Sequence, residues 1–545
     1  MADQKHNNSM MFEFVILGII AFLFLFAIGI EIDSVFGSFT FVSFTKAFSC
    51  ITFFRNISHP ALTCDKSIRG KLPQSPIVFL LGICISLFVA GGTAIVVYNR
   101  FFNKKGSSVK ASEHNKELGK KYLRSKASQI RPDIKFQPQE VGFLIGKTES
   151  GRDAWISWEE TLYVLGAPRS GKTTGIIIPL IKSVPGAAVI TSIRDDLILS
   201  TGEIRSKLGD VYVFSQHKDD FFKQHQHLKP LIWNPVIGCE NNNIASRRAA
   251  SLVSAGSGLG NSSENEFWKV TAISILKTYL IAAALGGCTM KDIFEWANDF
   301  HSPIPINILE KHGKTTLAAE LRSKALDTKL AANNWSGVLT TLQVLGNETI
   351  ANKVSPSSCD QAIDFHEFIK KQNTIYLAGS ETDQELIAPL IALIVEEIVA
   401  AARDLVAQQG KRCDPPLALI LDEVANIAKI DSITSLLSTG GGSGIFTCIV
   451  LQSLNQAKAR WGTDRAGTMW EASTAKVVFG GLANASDLRD ISALCGTKKV
   501  DGKIEPKMTE ADIRGIKIGH ALLIHRRLEP MKIKLKELKV EKKVH

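Results

Sequence analysis

The nine cysteines of this 545-residue chain include no Cys-x-x-Cys pair. That absence argues against a zinc site of the usual spacing, and so sparse a set excludes a disulfide-rich scaffold. Most of the chain is therefore expected to be cytosolic and reduced. No array of interleaved basic and aromatic residues stands out as a nucleic-acid surface. The formal net charge of +11 nevertheless suits a polyanion or an anionic membrane surface as partner. Two N-terminal stretches lack charge altogether. Phe14 to Ile30 is apolar apart from Gly18 and Gly29, and Ile77 to Tyr98 runs for 22 residues without a charged side chain.

Both stretches are long enough to cross a bilayer, the first near the lower limit. A signal peptide would also place an apolar run near the N-terminus. Here, however, Glu31-Ile32-Asp33 follows with no small-residue cleavage pattern. The expectation is a membrane anchor over residues 1–105, with two transmembrane helices at about 14–30 and 77–98 and an extracytoplasmic loop at 31–75. After the second span, Arg100, Lys104, Lys105, Lys110, Lys116, Lys120, Lys121, Arg124 and Lys126 outnumber Glu113 and Glu117. The positive-inside rule puts that side, and the bulk of the chain, in the cytoplasm. Cys50 and Cys64 share the loop and either pair in an oxidising compartment or stay free. Residues 106–139 read as a polar, basic linker.

The chain is organised around Leu162-Tyr163-Val164-Leu165-Gly166-Ala167-Pro168-Arg169-Ser170-Gly171-Lys172-Thr173-Thr174. A strand-like apolar run leads into Gly-x-x-x-x-Gly-Lys-Thr, and an apolar helical stretch follows. This is the context of a phosphate-binding P-loop. Gly166 and Gly171 let the backbone curl so that N–H groups face phosphates at a helix N-terminus. Lys172 would reach the β- and γ-phosphates and the Thr173 hydroxyl would ligate magnesium, so ATP and Mg2+ are the expected cofactors. Downstream, Leu417 to Leu421 is an apolar run ending in Asp422-Glu423, a Walker B pattern. Asp422 would hold the metal through water, and Glu423 would act as general base toward the attacking water. Ile445 to Leu451 reads as another buried strand, tipped by Gln452, whose amide would sense the γ-phosphate or orient the water. The preceding Gly440 to Gly444 reads as a flexible turn.

Strand signals at Val141–Ile145, Ala154–Ser157, Ala187–Thr191, Val211–Phe214, Thr374–Leu377 and Lys476–Gly480 complete an α/β domain. Its expected extent is 140–239 and 351–545, interrupted at 240–350 by an all-helical insert with its own core. Phe267, Trp268, Ile273, Leu276 and Leu280 are that core's candidate residues. Phe267 to Leu285 carries Lys269 and Lys277, so it reads as a core helix rather than a third span. Lys532 to Val540 alternates charged and apolar residues, as a half-exposed edge strand would.

The resemblance rests on several motifs in order: the P-loop with Pro179, Thr191-Ser192 through Asp195-Asp196-Leu197, Trp233-Asn234-Pro235, Phe267-Trp268, Leu421-Asp422-Glu423-Val424-Ala425-Asn426 and Gln452-Ser453. With these the chain resembles the coupling proteins of type IV secretion and conjugation, the TraD/TraG kind of membrane-anchored ATPase, over roughly residues 130–530. The resemblance implies a RecA-like domain and a homo-hexameric ring at the bacterial inner membrane. It also implies DNA with its relaxase as cargo, and type IV secretion channel components as partners. Many relatives carry a basic residue in the turn before the Gln strand, where this chain has Gly440 to Gly444. Arg460 and Arg465 are the nearest groups that would complete a neighbour's site, and Arg465 is taken as a catalytic candidate. Arg247-Arg248 and Lys498-Lys499 are candidates to face the pore. The competing readings are an FtsK-like DNA translocase, a protein-secretion ATPase, or a docking protein that uses nucleotide only as a conformational ligand. The first would bring more spans and the second a repeated P-loop domain. The third would have no need of Glu423.

Overall fold

The computed structural model describes residues 116–256, 263–326, 328–358, 361–379, 384–500 and 503–536, with short stretches at 30, 44–47, 50, 55–56, 58–73, 75–78 and 114. Nearly all of both expected N-terminal spans lies outside the described residues. The chain divides into two compact units, residues 1–106 and 107–545. In the first, the described pieces are a helical turn at Phe44–Ala47 and tight turns at Pro60–Thr63 and Arg69–Lys71. A disulfide joins Cys50 to Cys64, resolving a pairing that the sequence leaves open.

The second unit is built on strands β1 (Gly142–Thr148), β2 (Asp153–Ser157), β3 (Thr161–Leu165), β4 (Ala188–Ser192), β5 (Val211–Phe214), β6 (Lys229–Pro230) and β7 (Thr374–Ala378). They are followed by β8 (Leu417–Leu421), β9 (Ile445–Leu451), β10 (Ala475–Val478), β11 (Thr497–Val500), β12 (Lys503–Pro506), β13 (His520–His525) and β14 (Met531–Lys534). Twelve of these form one sheet in the order β2-β1-β14-β13-β10-β3-β9-β8-β4-β7-β5-β6, while β11 and β12 pair apart. From β10 to β6 every pairing is parallel, and the extension from β13 to β2 is antiparallel. Strands β3, β4, β7, β8 and β9 are buried at every position. Their unbroken apolar runs reflect cover on both faces, as parallel sheets require. Alternation then sorts side chains between two cores: Tyr163 and Leu165 face one, Leu162 and Val164 the other.

The C-terminal strand corrects the sequence reading. β14 lies inside the sheet between β13 and β1 rather than at an edge. Met531 and Ile533 are buried, and Lys534 is exposed. The alternation therefore records one covered face, while the β1–β2 hairpin supplies the edge beyond it. Residues 537–540 of the expected strand fall outside the described residues.

Between β6 and β7 the chain is helical from Asn242–Gly256 through Phe365–Lys370, about twenty residues further than the sequence pattern indicates. Leu276 and Leu280 are buried and Ile273 and Trp268 half-buried, but Phe267 is 63% exposed. The first turns of helix Ser263–Gly286 present Phe267 and Val270 outward, and burial begins at Ala272. Among the described residues, Glu266–Gly286 is the one helix long and apolar enough to cross a membrane, and half of it is buried within the domain. Nor is the block's core separate, because Tyr279 and Trp335 belong to the same apolar cluster as Ile391, Leu419 and Tyr163. The reason is close packing of helix Asn242–Gly256 on helix Gln384–Gln409. A Cβ on Gly256 would come within 2.8 Å of Pro389. Arg248 is buried there against Glu397 at 2.7 Å, and also donates to the Pro235 and Ile237 carbonyls. It is a structural cation, not one free to face a pore. Arg247 shares Glu397 at 3.0 Å. Lys498 and Lys499 are exposed on β11.

Candidate active site

The loop after β3 runs into a π-wound turn, Thr173–Ile177, continued by helix Ile178–Ser183. Its two glycines are needed for different reasons. A Cβ on Gly166 would lie 2.8 Å from Ser170 Oγ and 3.1 Å from Phe479 Cβ, so close approach excludes a side chain there. Gly171 has φ of 89°, in the region that L side chains avoid. Arg169 adopts φ of 61° between them. Ala167, Pro168, Ser170 and Thr174 complete the cradle, with Thr174 Oγ1 donating to the Gly171 carbonyl at 3.4 Å.

Because β9 lies between β3 and β8, with β4 beyond, four parallel strands end side by side. Their carboxyl ends carry the P-loop, Gln452, Asp422-Glu423 and the Ser192–Asp196 segment, the position at which open α/β sheets bind ligands. A cavity of about 430 Å³ opens there, lined by Arg169, Lys172, Thr173, Asp196, Asp422 and Glu423 among others.

Glu423 is the hub. It turns the chain from β8 into helix Val424–Ile427 with φ of 53° and ψ of 30°, a left-handed conformation for a non-glycine residue. Such strain costs about 1–3 kcal/mol and is held only where surrounding contacts dictate it. Those contacts are visible. Lys172 Nζ donates to Glu423 Oε1 at 2.9 Å, while Glu423 Oε2 accepts from Asn426 Nδ2 at 2.8 Å and Gln452 Nε2 at 2.7 Å. Gln456 closes a ring. Its Nε2 donates to Asn426 Oδ1 at 2.6 Å, and its Oε1 accepts from the Gln452 N–H at 3.1 Å.

Asp422 is 6% exposed, and its Oδ1 is buried without a hydrogen-bond partner. Burial pushes its pKa up to about 7; Lys172 opposes the rise, and Glu423 and Asp196 add to it. Thr191 Oγ1 donates to the Asp422 carbonyl at 2.8 Å and ties β4 to the β8 corner. Asp422, with its unpartnered carboxylate oxygen, and Thr173, which carries a hydroxyl, line one cavity, a hard-oxygen donor set that fits magnesium.

Arg465, by contrast, does not line the cavity. It donates to the Asp431 carbonyl at 2.6 Å and lies 3.4 Å from the Asp431 carboxylate. The glycine turn before β9 is close-packed at Gly441 and open at Gly442. Gly440–Ser443 forms a 3-10 turn, and a Cβ on Gly441 would fall 2.0 Å from the Glu159 carbonyl oxygen. No side chain fits at Gly441 itself. Sequence reasoning missed Gln456. Its signal was the Ser453-x-x-Gln456 spacing of a capping box, and the Ser453 hydroxyl does accept from the Gln456 N–H at 3.1 Å.

Fold and loop together define a P-loop nucleotide-binding domain. Residues 112–512 match the family model described as type IV secretory system conjugative DNA transfer, and the chain belongs to that family. It is 23% identical over 333 residues to protein VirD4 of Rhizobium rhizogenes, covering 59% of this chain and 47% of that one. Against conjugal transfer protein TraG of Escherichia coli the identity is 22%, covering 60% and 54%. The chain thus spans about half the length of the curated relatives it matches. Its fold is shared with the plasmid coupling protein TrwB in complex with ADP and Mg2+. The TM-score is 0.55 at 18% identity, over 76% of this chain and 92% of that one.

Proposed function

We propose that this chain is a membrane-anchored, ATP-driven motor that delivers DNA, with its attached relaxase, to a type IV secretion channel, working as a homo-hexameric ring at the bacterial inner membrane. The observation that carries the reading is the convergence of Lys172, Glu423 and Gln452 on one cavity, in a chain whose family is that of conjugative DNA transfer. In this reading the P-loop N–H groups and Lys172 bind the ATP phosphates. Thr173 and Asp422 would hold Mg2+, which when bound supplies positive charge to offset that of the phosphates. Phosphate oxygens arriving at Lys172 compete with Glu423 for its ammonium group. Once released, Glu423 can accept a proton from the attacking water, and Gln452 and Asn426 keep its second oxygen in place. The coupling protein TrwB, named as binding ADP and Mg2+, supports the choice of cofactors.

A docking protein that uses nucleotide only as a conformational ligand is disfavoured by the buried, hydrogen-bonded and strained Glu423. The test is steady-state ATP hydrolysis by the full chain in detergent, with and without single-stranded or duplex DNA. A motor turns over and accelerates with DNA. No turnover under any of these conditions would leave the docking reading in its place.

A further inference from the structure

Beyond the cavity, three segments distant in sequence assemble a group of cations. Arg460 lies one helical turn past Gln456 on helix Leu454–Trp461, and Lys429 follows Asn426 by three residues. The segment carrying Lys429 is fastened to that helix, with Trp461 Nε1 donating to the Ile430 carbonyl at 3.3 Å and Arg465 holding Asp431. Lys269, from the start of helix Ser263–Gly286, stands close enough to act on Lys429. Burial lowers the Lys429 pKa, Asp431 opposes, and Lys269, Arg465 and Arg460 lower it further.

Among the described residues the group is under-neutralised. Arg465 takes Asp431, whereas Lys269, Lys429 and Arg460 form no ion pair among the described residues, and Arg460 Nε is buried without a hydrogen-bond partner. Among the described residues, Glu385 is the further acid that acts on Arg460. Like charges crowded at partial burial are unfavourable unless an anion joins them. Cations spaced over several segments match the repeated phosphates of a nucleic-acid strand.

We propose that Lys269, Lys429 and Arg460 form a docking site for the phosphate backbone of single-stranded DNA, and that Gln456 relays its occupancy to Glu423. The relay is the hydrogen-bonded ring. Gln456 and Arg460 share one helix, Gln456 holds Asn426, and Asn426 holds Glu423. DNA that moves this helix therefore alters the position of the general base. The inference rests on the motor reading above and gives it a route from cargo to catalysis.

The test uses the full chain in detergent with a single-stranded oligonucleotide, measuring both binding and hydrolysis. Lys269→Gln with Lys429→Gln should keep basal hydrolysis, lose DNA stimulation, and flatten the slope of log affinity against log salt by about 1.4, at ~0.7 per contact. Gln456→Ala should bind the oligonucleotide as the wild type does, yet show no rise in kcat with DNA over its own basal rate, whatever that rate is. A Lys429→Arg protein keeps the charge and should behave as wild type. If wild type responds to DNA and the double variant responds equally, the site is wrong while the motor reading stands. If wild type shows no DNA response, the motor reading fails and takes this inference with it. If the double variant binds DNA normally but loses basal hydrolysis, and mixing with Glu423→Gln protein restores it, the cations serve a neighbouring subunit's nucleotide and the proposal is overturned.

Discussion

Lys172 Nζ lies 2.9 Å from Glu423 Oε1, and the two side chains are 8% and 14% exposed. The cation meant for phosphate and the carboxylate meant for water thus hold one another. Nucleotide binding and activation of the base become a single exchange, since phosphate oxygens that take Lys172 free Glu423.

That exchange separates two variants. Glu423→Gln should lower turnover by ~10²–10⁴-fold, the range for losing a general base. It should bind ATP at least as tightly as the wild type, because a neutral amide competes less well for Lys172. Lys172→Ala should weaken binding and also leave Glu423 without its partner. Nucleotide titration beside steady-state kinetics distinguishes them. Near wild-type turnover in Glu423→Gln would remove that residue from the mechanism.

The turn before β9 offers a packing test. Arg412 Nη2 donates to the Gly441 carbonyl at 2.6 Å, with the Glu159 backbone against the Gly441 Cα. Gly441→Ala should destabilise by about 1–3 kcal/mol, as overpacking does, and lower the thermal midpoint. Gly442 faces open space, so Gly442→Ala is the control. Equal melting of the two variants would show that the close contact carries no energetic weight.

Much of this architecture is legible in the chain because its signals are local. The P-loop, the Asp422-Glu423 strand end and the Gln452 strand tip each announce themselves through a few adjacent residues, and the uninterrupted apolar runs of β3, β8 and β9 state that both faces are covered. What escaped depends on distance in sequence. Nothing near Lys532 reveals that a hairpin some 380 residues earlier, at β1 and β2, lies outside β14 in the sheet. Phe267 looks like core because it is aromatic and helical, but only the neighbouring helices decide which turn is covered. Gln456 enters the site through Asn426, thirty residues away, and Arg248 is explained by Glu397 rather than by its adjacent arginine.

Glu160 predicts a pH dependence. It is 1% exposed, with His525 Nε2 at 2.9 Å, Arg526 Nη2 at 2.7 Å and the Ser157 N–H at 2.8 Å. Burial alone would raise its pKa, but the hydrogen bond and charge of His525, then Arg526 and Ser157, hold it below the ordinary carboxylate value. A carboxylate with a depressed folded pKa adds stability above its unfolded pKa and loses it as pH falls through the folded value. The stability gap between wild type and Glu160→Gln should therefore shrink from roughly pH 7 to roughly pH 3. Thermal melts at both values check this, and a gap that widens in acid would refute it.

The Cys50–Cys64 disulfide bears on membrane topology. If the loop at 31–75 faces an oxidising compartment, impermeant maleimide should label whole cells at these cysteines only after reduction. A reporter fused after Arg124 should remain cytoplasmic. Protection of both cysteines even after reduction would reverse the assignment.

If hydrolysis at this site drives DNA export, conjugative transfer must depend on Glu423. Donor cells in which Glu423→Gln replaces the wild-type chain, at equal membrane abundance, should transfer plasmid no better than donors lacking the chain. Transfer at the wild-type frequency would show that hydrolysis here does not drive export.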